Sequence, residues 1–329
     1  MVRAFPTTEV LAAGLRAGDR TLIGRALTLV ESKHPTHRRL AAELLHELPV
    51  ASAGTQRIGI TGAPGVGKST FIDALGIQLT AAGHRVAVLA VDPSSERSGG
   101  SILGDKTRMA RLCVDPNAFI RPSPAGRTLG GVAARTREMM LVLEAAGFDI
   151  VLIETVGVGQ SETAVRHLSD TFVLLALAGA GDELQGIKRG IMELADVVLV
   201  TKADGDNVVP AKRAMAQLRG ALRLLHPPGD PTAWLPPVLS VSALQDPSAQ
   251  ASMATAWEAI GKHHETLASS PRLGEQRADQ AIRWLWTLVD ERLHERVRQH
   301  PELAHIEREV RANRMTLEAA AIELTRQPA

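Results

Sequence analysis

The chain of 329 residues carries 37 basic against 36 acidic side chains, and 45% of it is hydrophobic. A net charge of +1, an aromatic content of 3% and the lack of any tyrosine exclude a protein built to wrap a phosphate backbone or to stack single-stranded bases. The single cysteine, Cys113, excludes an intrachain disulfide and a multi-cysteine metal cage, and the longest apolar stretch, 172–181, is half of the roughly 20 residues that cross a bilayer.

Arg16, Asp19, Arg20 and Arg25 interrupt the N-terminal segment, so no signal-peptide core is expected, and the chain reads as soluble and cytoplasmic. Residues 1–55 read as a helical N-terminal extension. Thr7 or Thr8 and Asp19 are helix caps, and Pro35-Thr36 opens a third helix carrying Leu40, Leu44, Leu45 and Leu48 until Pro49 stops it. Residues 56–264 then alternate apolar runs (58–60, 85–91, 149–153, 172–178, 197–200) with helical patterns (68–82, 132–146, 207–226). Such runs are strands buried on both faces, as in an α/β, doubly wound, mostly parallel sheet with ligands at the carboxyl ends of the strands. A proline-rich stretch, 227–237, leads to a short strand at 238–240. Residues 265–329 read as a helical C-terminal arm with an apolar stripe of Ile282, Leu285, Trp286, Val289, Leu293 and Val297; ten arginines face ten acids from Arg272 on, which does not suit a cationic membrane surface.

The run Gly62-Ala63-Pro64-Gly65-Val66-Gly67-Lys68-Ser69-Thr70 fits G-x-x-x-x-G-K-[ST] between a strand and a helix. Glycines let backbone N–H groups turn inward on phosphate oxygens, and the helix N-terminus adds positive potential. Lys68 is placed on the β- and γ-phosphates and Ser69 on Mg2+. The chain is expected to bind a nucleoside triphosphate.

Thr201-Lys202-Ala203-Asp204 follows a strand and resembles the N-K-x-D guanine motif. There the carboxylate accepts the two N–H groups that guanine offers and adenine lacks. Thr201 replaces the usual asparagine, which mainly braces neighbouring loops, so the match to the motif is weaker while the base reader remains. Ser242-Ala243-Leu244 resembles the accompanying guanine loop. Asp92 and Glu154 end the strands read as second and third, where carboxylates hold Mg2+ or its waters. Glu154-Thr155-Val156-Gly157 resembles the D-x-x-G switch, with Gly157 offering its N–H to the γ-phosphate. On the long connection 94–117, Asp105 is a candidate metal ligand; Arg108 is read either as a partner for transition-state charge or as a surface pair. The charged, glycine-rich segment that contains Asp182, Gln185 and Lys188 follows another strand. No catalytic glutamine stands beside Gly157, so slow intrinsic hydrolysis is expected.

Together, the phosphate loop, Val91-Asp92-Pro93-Ser94-Ser95, Gly104-Asp105-Lys106-Thr107-Arg108-Met109, Glu154-Thr155-Val156-Gly157-Val158-Gly159-Gln160-Ser161 and Thr201-Lys202-Ala203-Asp204 resemble the MeaB/ArgK family of P-loop GTPases. The resemblance covers almost the whole chain. It implies a GTPase chaperone, using GTP/GDP and Mg2+, for an adenosylcobalamin-dependent acyl-CoA mutase, methylmalonyl-CoA mutase above all. It further implies a homodimer formed through the C-terminal arm, metal and switch roles for Asp92, Asp105 and Glu154, and a third switch that signals to the mutase through Asp182, Gln185 and Lys188.

Two other readings use the same loop. A metallocentre-assembly GTPase that inserts nickel needs Cys or His clusters at ligand spacing, whereas His34, His37, His263, His264, His294, His300 and His305 read as solvated on polar helical faces. A P-loop kinase needs an acceptor pocket and a positioned base, for which no residues stand out.

Overall fold

Side-chain caps set the first helices. In the computed structural model, which describes residues 5–49, 54–92, 108–124, 129–155, 161–177, 189–225 and 234–326, α1 (Thr8–Arg16) starts where Thr7 accepts the amide of Val10. The Asp19 carboxylate accepts those of Thr21 and Leu22 to start α2 (Arg20–Glu31). Pro35 opens α3 (Pro35–Glu47), where an N–H would lack an intrahelical partner in any case.

The sheet has seven strands in the order β3-β2-β4-β1-β5-β6-β7, and every neighbouring pair is parallel. They are β1 (Gln56–Gly62), β2 (Val86–Asp92), β3 (Ala118–Pro124), β4 (Ile150–Thr155), β5 (Thr171–Leu177), β6 (Val197–Thr201) and β7 (Val238–Ser240). Between and after them lie α4 (Lys68–Ala81), α5 (Leu129–Ala145), α6 (Ser161–Arg166), α7 (Arg189–Leu194), α8 (Val208–Leu225) and α9 (Pro247–Ala268). Alternate strand residues serve opposite cores. Ala87, Leu89, Val91, Val151 and Ile153 pack with α1–α3 and α5. Val86, Val88, Ile58, Ile60 and Leu152 pack with α4 and α9. The N-terminal helices thus cover one face of the sheet. Covering both faces is what a parallel sheet requires, and it explains why these strands read as unbroken apolar runs.

Three expectations need correction. The connection 94–117 is followed by a strand that was not expected, β3, which forms the sheet's edge after a short turn at Leu112–Val114. Arg121, Pro122, Ser123 and Pro124 break the apolar pattern of that strand, which an edge position tolerates because one side of the ladder needs no donor. Glu154 therefore lies on the fourth strand in the chain. That strand is still the spatial neighbour of β2, with Ala90 opposite Glu154. The third correction is His263 and His264, which are buried on α9 and not solvated.

The His263 environment is polar and closed. Nδ1 of His263 lies 2.9 Å from the Thr171 hydroxyl, and Nε2 lies 3.4 Å from an Asp196 oxygen. Asp196 also accepts the Phe172 amide at 2.8 Å and faces Arg166 at 3.2 Å, while the Trp234 indole N–H donates 2.7 Å to its carbonyl. Burial, with Arg166 and His264 acting in the same sense against Asp170, pushes the His263 pKa down from 6.5 to about 4. Burial pushes Asp196 up from 3.8 to about 6, opposed by Arg166 and the Phe172 amide. At pH 7 the imidazole is neutral, so its contact with Asp196 is not a salt bridge.

The chain divides into two compact units, 1–280 and 281–329, and α10 (Arg272–Arg298) crosses the boundary. Its first turns belong to the first unit. Arg277 grips Asp170 at 2.7 and 2.9 Å and donates to the Thr55 carbonyl at 2.6 Å, and Gln276 and Gln280 donate to the Ser169 carbonyl. In the second unit, α11 (Leu303–Arg311) buries Ile306, and α12 (Leu317–Thr325) is capped by Thr316 and buries Ala320. Ile282, Leu285, Trp286 and Leu293 on α10 are exposed.

The depressed His263 pKa fixes a sign. As pH falls from 6.5 towards 4, the unfolded chain takes up this proton and the folded chain does not, so stability is lost in that window. Asp196, whose raised pKa favours protonation in the folded state, offsets part of the loss between about 6 and 3.8. His263→Gln should therefore lose less thermal stability between pH 7 and pH 5 than the parent, by up to about 2 kcal/mol. Equal losses in thermal melts at the two pH values would contradict this origin.

Candidate nucleotide site

Because all strands run the same way, the loops after β1, β4, β6 and β7 meet on one edge of the sheet. From β1 the chain turns through Gly62–Gly67 into α4. Gly62, at φ 152°, runs so close to β5 that a Cβ would stand 2.5 Å from the Leu175 carbonyl oxygen. Gly67, at φ 97°, is the left-handed residue that starts α4, and no side chain caps that end. The first amides of α4 have no acceptor in their own helix, and they face the loop.

Lys68 is buried and its ammonium reaches back into the loop, donating to the carbonyls of Gly62 at 2.7 Å and Ala63 at 3.2 Å. Burial lowers its pKa most, Glu154 and Glu162 pull it back up, and Arg108 lowers it again. These four side chains therefore share one electrostatic neighbourhood. One residue further on, the Ser69 hydroxyl donates to Glu154 Oε1 at 2.8 Å, joining the start of α4 to the end of β4. The Thr155 hydroxyl donates to Thr61 at 3.0 Å and ties β4 to β1 beside it. Val66 is buried, and Pro64, Gly65 and Thr70 are exposed.

The loop after β6 is fastened to the same cradle. The hydroxyl of Thr201 lies 2.7 Å from the Val66 carbonyl and 3.2 Å from that of Ala176, so its proton serves the phosphate loop and β5 together. Lys202, at φ 53°, sends its ammonium to the Gly65 carbonyl at 2.9 Å. Two residues on, Asp204 accepts the Ser242 hydroxyl at 2.6 Å. Ser242 in turn accepts the Leu244 amide at 3.2 Å and donates its own amide to Ser252 at 3.1 Å, and the Ala203 amide bonds the Val241 carbonyl. Ala243 packs against the core beneath, and Leu244 is exposed. Where the motif usually has asparagine, the shorter Thr201 hydroxyl thus braces the phosphate loop and β5 directly.

Lys68, Ser69, Glu154, Thr201, Lys202, Asp204 and Ser242 are brought together on this edge. Asp92 is the last residue of β2, next to β4. Asp105, Gly157, Asp182, Gln185 and Lys188 lie outside the described residues. Sequence reasoning passed over Glu162, buried at the start of α6; an acid in the first turn of a helix just after the Gly157 motif was the available signal. It also passed over Ser252, whose partner lies across a loop. Among the described residues, no group of three or more His, Cys, Asp or Glu side chains is arranged to hold a metal ion, and no helix is long and apolar enough to cross a membrane.

The family model described as methylmalonyl Co-A mutase-associated GTPase MeaB matches residues 23–302. A probable GTPase of Mycobacterium tuberculosis (strain ATCC 25618 / H37Rv) is 52% identical over 322 residues, 97% of this chain and 94% of that protein. The GTPase ArgK of Escherichia coli (strain K12) is 47% identical over 277 residues, 84% of this chain and 82% of its own. A mouse protein named methylmalonic aciduria type A homolog, mitochondrial, is 46% identical over 303 residues, 89% of this chain and 72% of its own. A crystal structure described as LAO/AO transport system kinase superposes with a TM-score of 0.74 at 36% identity, covering 99% of this chain and 98% of that one.

Replacing Thr201 by valine keeps its shape and removes the hydroxyl donor. Guanine-nucleotide affinity should fall by about 1–2 kcal/mol, close to tenfold, while Thr201→Asn, with a donor of its own, recovers most of it. Titration calorimetry measures both, and an unchanged Thr201→Val would mean that the loops hold their places without this contact.

Proposed function

The chain belongs to the MeaB/ArgK family of P-loop GTPases, and from that membership and the geometry of the site we propose that it hydrolyses GTP to GDP and inorganic phosphate with Mg2+. The hydrolysis serves an adenosylcobalamin-dependent acyl-CoA mutase, methylmalonyl-CoA mutase in the first place, by coupling the nucleotide state to cofactor loading and to protection of that enzyme. The family's description and the name of the mouse relative support the mutase. One observation carries the guanine assignment: Lys202 and Asp204 leave one strand end tied respectively to Gly65 of the phosphate loop and to Ser242. That arrangement holds a carboxylate for guanine's paired donors beside a cradle for its phosphates.

The donors at the cradle's edge fit Mg2+. The hydroxyl of Ser69 and the carboxylate of Glu154 are hard oxygen ligands already in mutual contact. They would hold the ion, with Asp92 and Asp105 as further candidates, and the bound ion would neutralise charge on the β- and γ-phosphate oxygens. Lys68 exchanges its bonds to the Gly62 and Ala63 carbonyls for phosphate oxygens, and the α4 amides receive the β-phosphate. Water attacks the γ-phosphorus, the bond from that phosphorus to the β–γ bridging oxygen breaks, and the electron pair leaves with GDP. Gly157 offers its N–H to the γ-phosphate, and Asp182, Gln185 and Lys188 carry the change to the mutase. Gln160 stands three residues beyond Gly157 and not beside it, which supports a slow intrinsic rate that the partner raises. The exposed stripe Ile282, Leu285, Trp286 and Leu293 is the surface through which two chains pair, because that much apolar side chain is costly in water. The near-neutral charge balance supports a protein without a nucleic-acid partner.

Incubation with γ-labelled GTP tests the reaction. Inorganic phosphate is expected, and label on an acceptor would make the protein a kinase. Lys68→Ala should lower turnover by about a hundredfold or more. Asp204→Asn turns an acceptor into a donor and should shift preference from guanine towards xanthine nucleotides; retained guanine selectivity would place the base elsewhere. Co-purification with cobalamin-dependent mutases, with and without a non-hydrolysable GTP analogue, tests the partner, and capture of none in either state would overturn it.

A further inference from the structure

The helix that starts at the phosphate loop carries a second device along one of its faces. Ser69, Asp73, Gly76 and Thr80 are spaced four, three and four residues apart and so share one stripe of α4. Ser69 reaches Glu154. The other three all grip one distant segment, residues 109–115. The Asp73 carboxylate is buried and accepts three donors: the Arg111 amide at 3.2 Å and the Leu112 amide at 2.9 Å on Oδ1, and the Arg111 Nε–H at 2.7 Å on Oδ2. Gly76 leaves room for Leu112, whose methyls would stand 2.5 and 2.8 Å from a Cβ there. Thr80 donates to Asp115 at 2.7 Å, and Asp115 uses its other oxygen to hold the Asn117 amide at 2.8 Å. Met109 and Leu112 are fully buried in the core beneath α4.

This clasp has no part in the phosphate cradle itself, yet it determines where the chain stands just after Arg108. That arginine is exposed, and the residue that follows it is the buried Met109. Its charge is felt at Lys68, where it opposes the ammonium. Lys68 stands in the first turn of α4, where the helix dipole is positive as well, and a triphosphate placed there offsets the repulsion from Arg108, most of all as charge spreads over the transferred phosphoryl oxygens.

Resting on the reading of this site as one that hydrolyses GTP, we propose that Asp73 is a positioning residue: by fastening Arg111 and Leu112 to the phosphate-loop helix it holds Arg108 where its guanidinium meets the charge that develops on the γ-phosphate. Arg108 is then the group in direct contact with the reacting phosphate, and Asp73 acts only through the turn it fastens. A carboxylate suits the task because it accepts the two amides and the guanidinium at once, which no neutral side chain of its size does.

The test compares Arg108→Ala, Asp73→Ala and the double variant by single-turnover GTP hydrolysis, GDP titration calorimetry and thermal melting. Each single variant should lose about tenfold or more in kcat, with KM and GDP affinity within about twofold of the parent. The double variant should be no slower than Arg108→Ala alone, because one residue acts through the other. Effects that multiply, a parental kcat in Asp73→Ala, or GDP affinity falling in parallel with kcat each overturn the proposal. Should Asp73→Ala lose its cooperative melt, Asp73→Asn takes its place: it keeps an acceptor for both amides and loses the charge towards Arg111. A kcat between those of the parent and Arg108→Ala at unchanged GDP affinity supports the proposal, and a parental kcat overturns it. A parent protein that releases no phosphate from GTP refutes the hydrolase reading and this inference with it, whereas a hydrolysing parent with unaffected variants refutes this inference alone.

Discussion

The first amides of a helix have no carbonyl within their own helix to bond, and this chain gathers most of its chemistry around that deficit at the start of α4. The deficit is positive and directional, so whatever settles there must be anionic or rich in acceptors. Gly67 sets the helix start in a left-handed turn that leaves the amides uncovered, and Gly62 lets the entering strand lie against β5 with no side chain between. The side chains around it come from the ends of parallel strands. A parallel sheet delivers all of those ends to one edge, so Glu154 from β4, Thr201 from β6 and Ser242 after β7 reach one place without long excursions of the chain.

The opposite edge of the sheet does different work. There the strands begin, and buried charges meet in pairs. Arg57 holds Glu144 through two bonds of 2.6 and 3.0 Å, and Arg277 holds Asp170 in the same forked way, while the Asp170 carboxylate also accepts the Arg57 amide. Taking such ions out of water is costly, and forked geometry with further backbone bonds is what offsets the cost. Arg137, buried beside Arg57, Glu144 and Arg277, has its pKa pulled down to about 10, chiefly by burial. Pairs of this kind contribute modestly when intact, but removing one partner strands a charge and costs about 3–5 kcal/mol. Their consequence is positional: they seat the first turns of α10 on the strand starts.

The α/β alternation and the glycine-rich loop between β1 and α4 were legible because each depends on residues adjacent in the chain. Strands covered on both faces show as apolar runs, and a glycine-rich strand-to-helix turn needs only its own backbone. β3 was not legible, because its prolines and Arg121 suit an edge and disturb the pattern a central strand would show. α9 was missed for a related reason: its buried face is built largely of small or polar side chains, Ala249, Ala256, His263 and His264 among them, which look like a solvated helix until Thr171 and Asp196 are set beside them.

The amino-acid order alone determined the glycine-rich strand-to-helix cradle and pointed to the tetrapeptide proposed for the base, since both are written in consecutive residues with their own backbone geometry. Only the tertiary structure decided which side chains hold those pieces still. Thr201 meets Val66, Asp73 meets Arg111, and Ser69 meets Glu154 across 135, 38 and 85 positions of chain. No local pattern encodes such partners; they exist because the stacking of helices on a parallel sheet brings distant segments within a hydrogen bond's length.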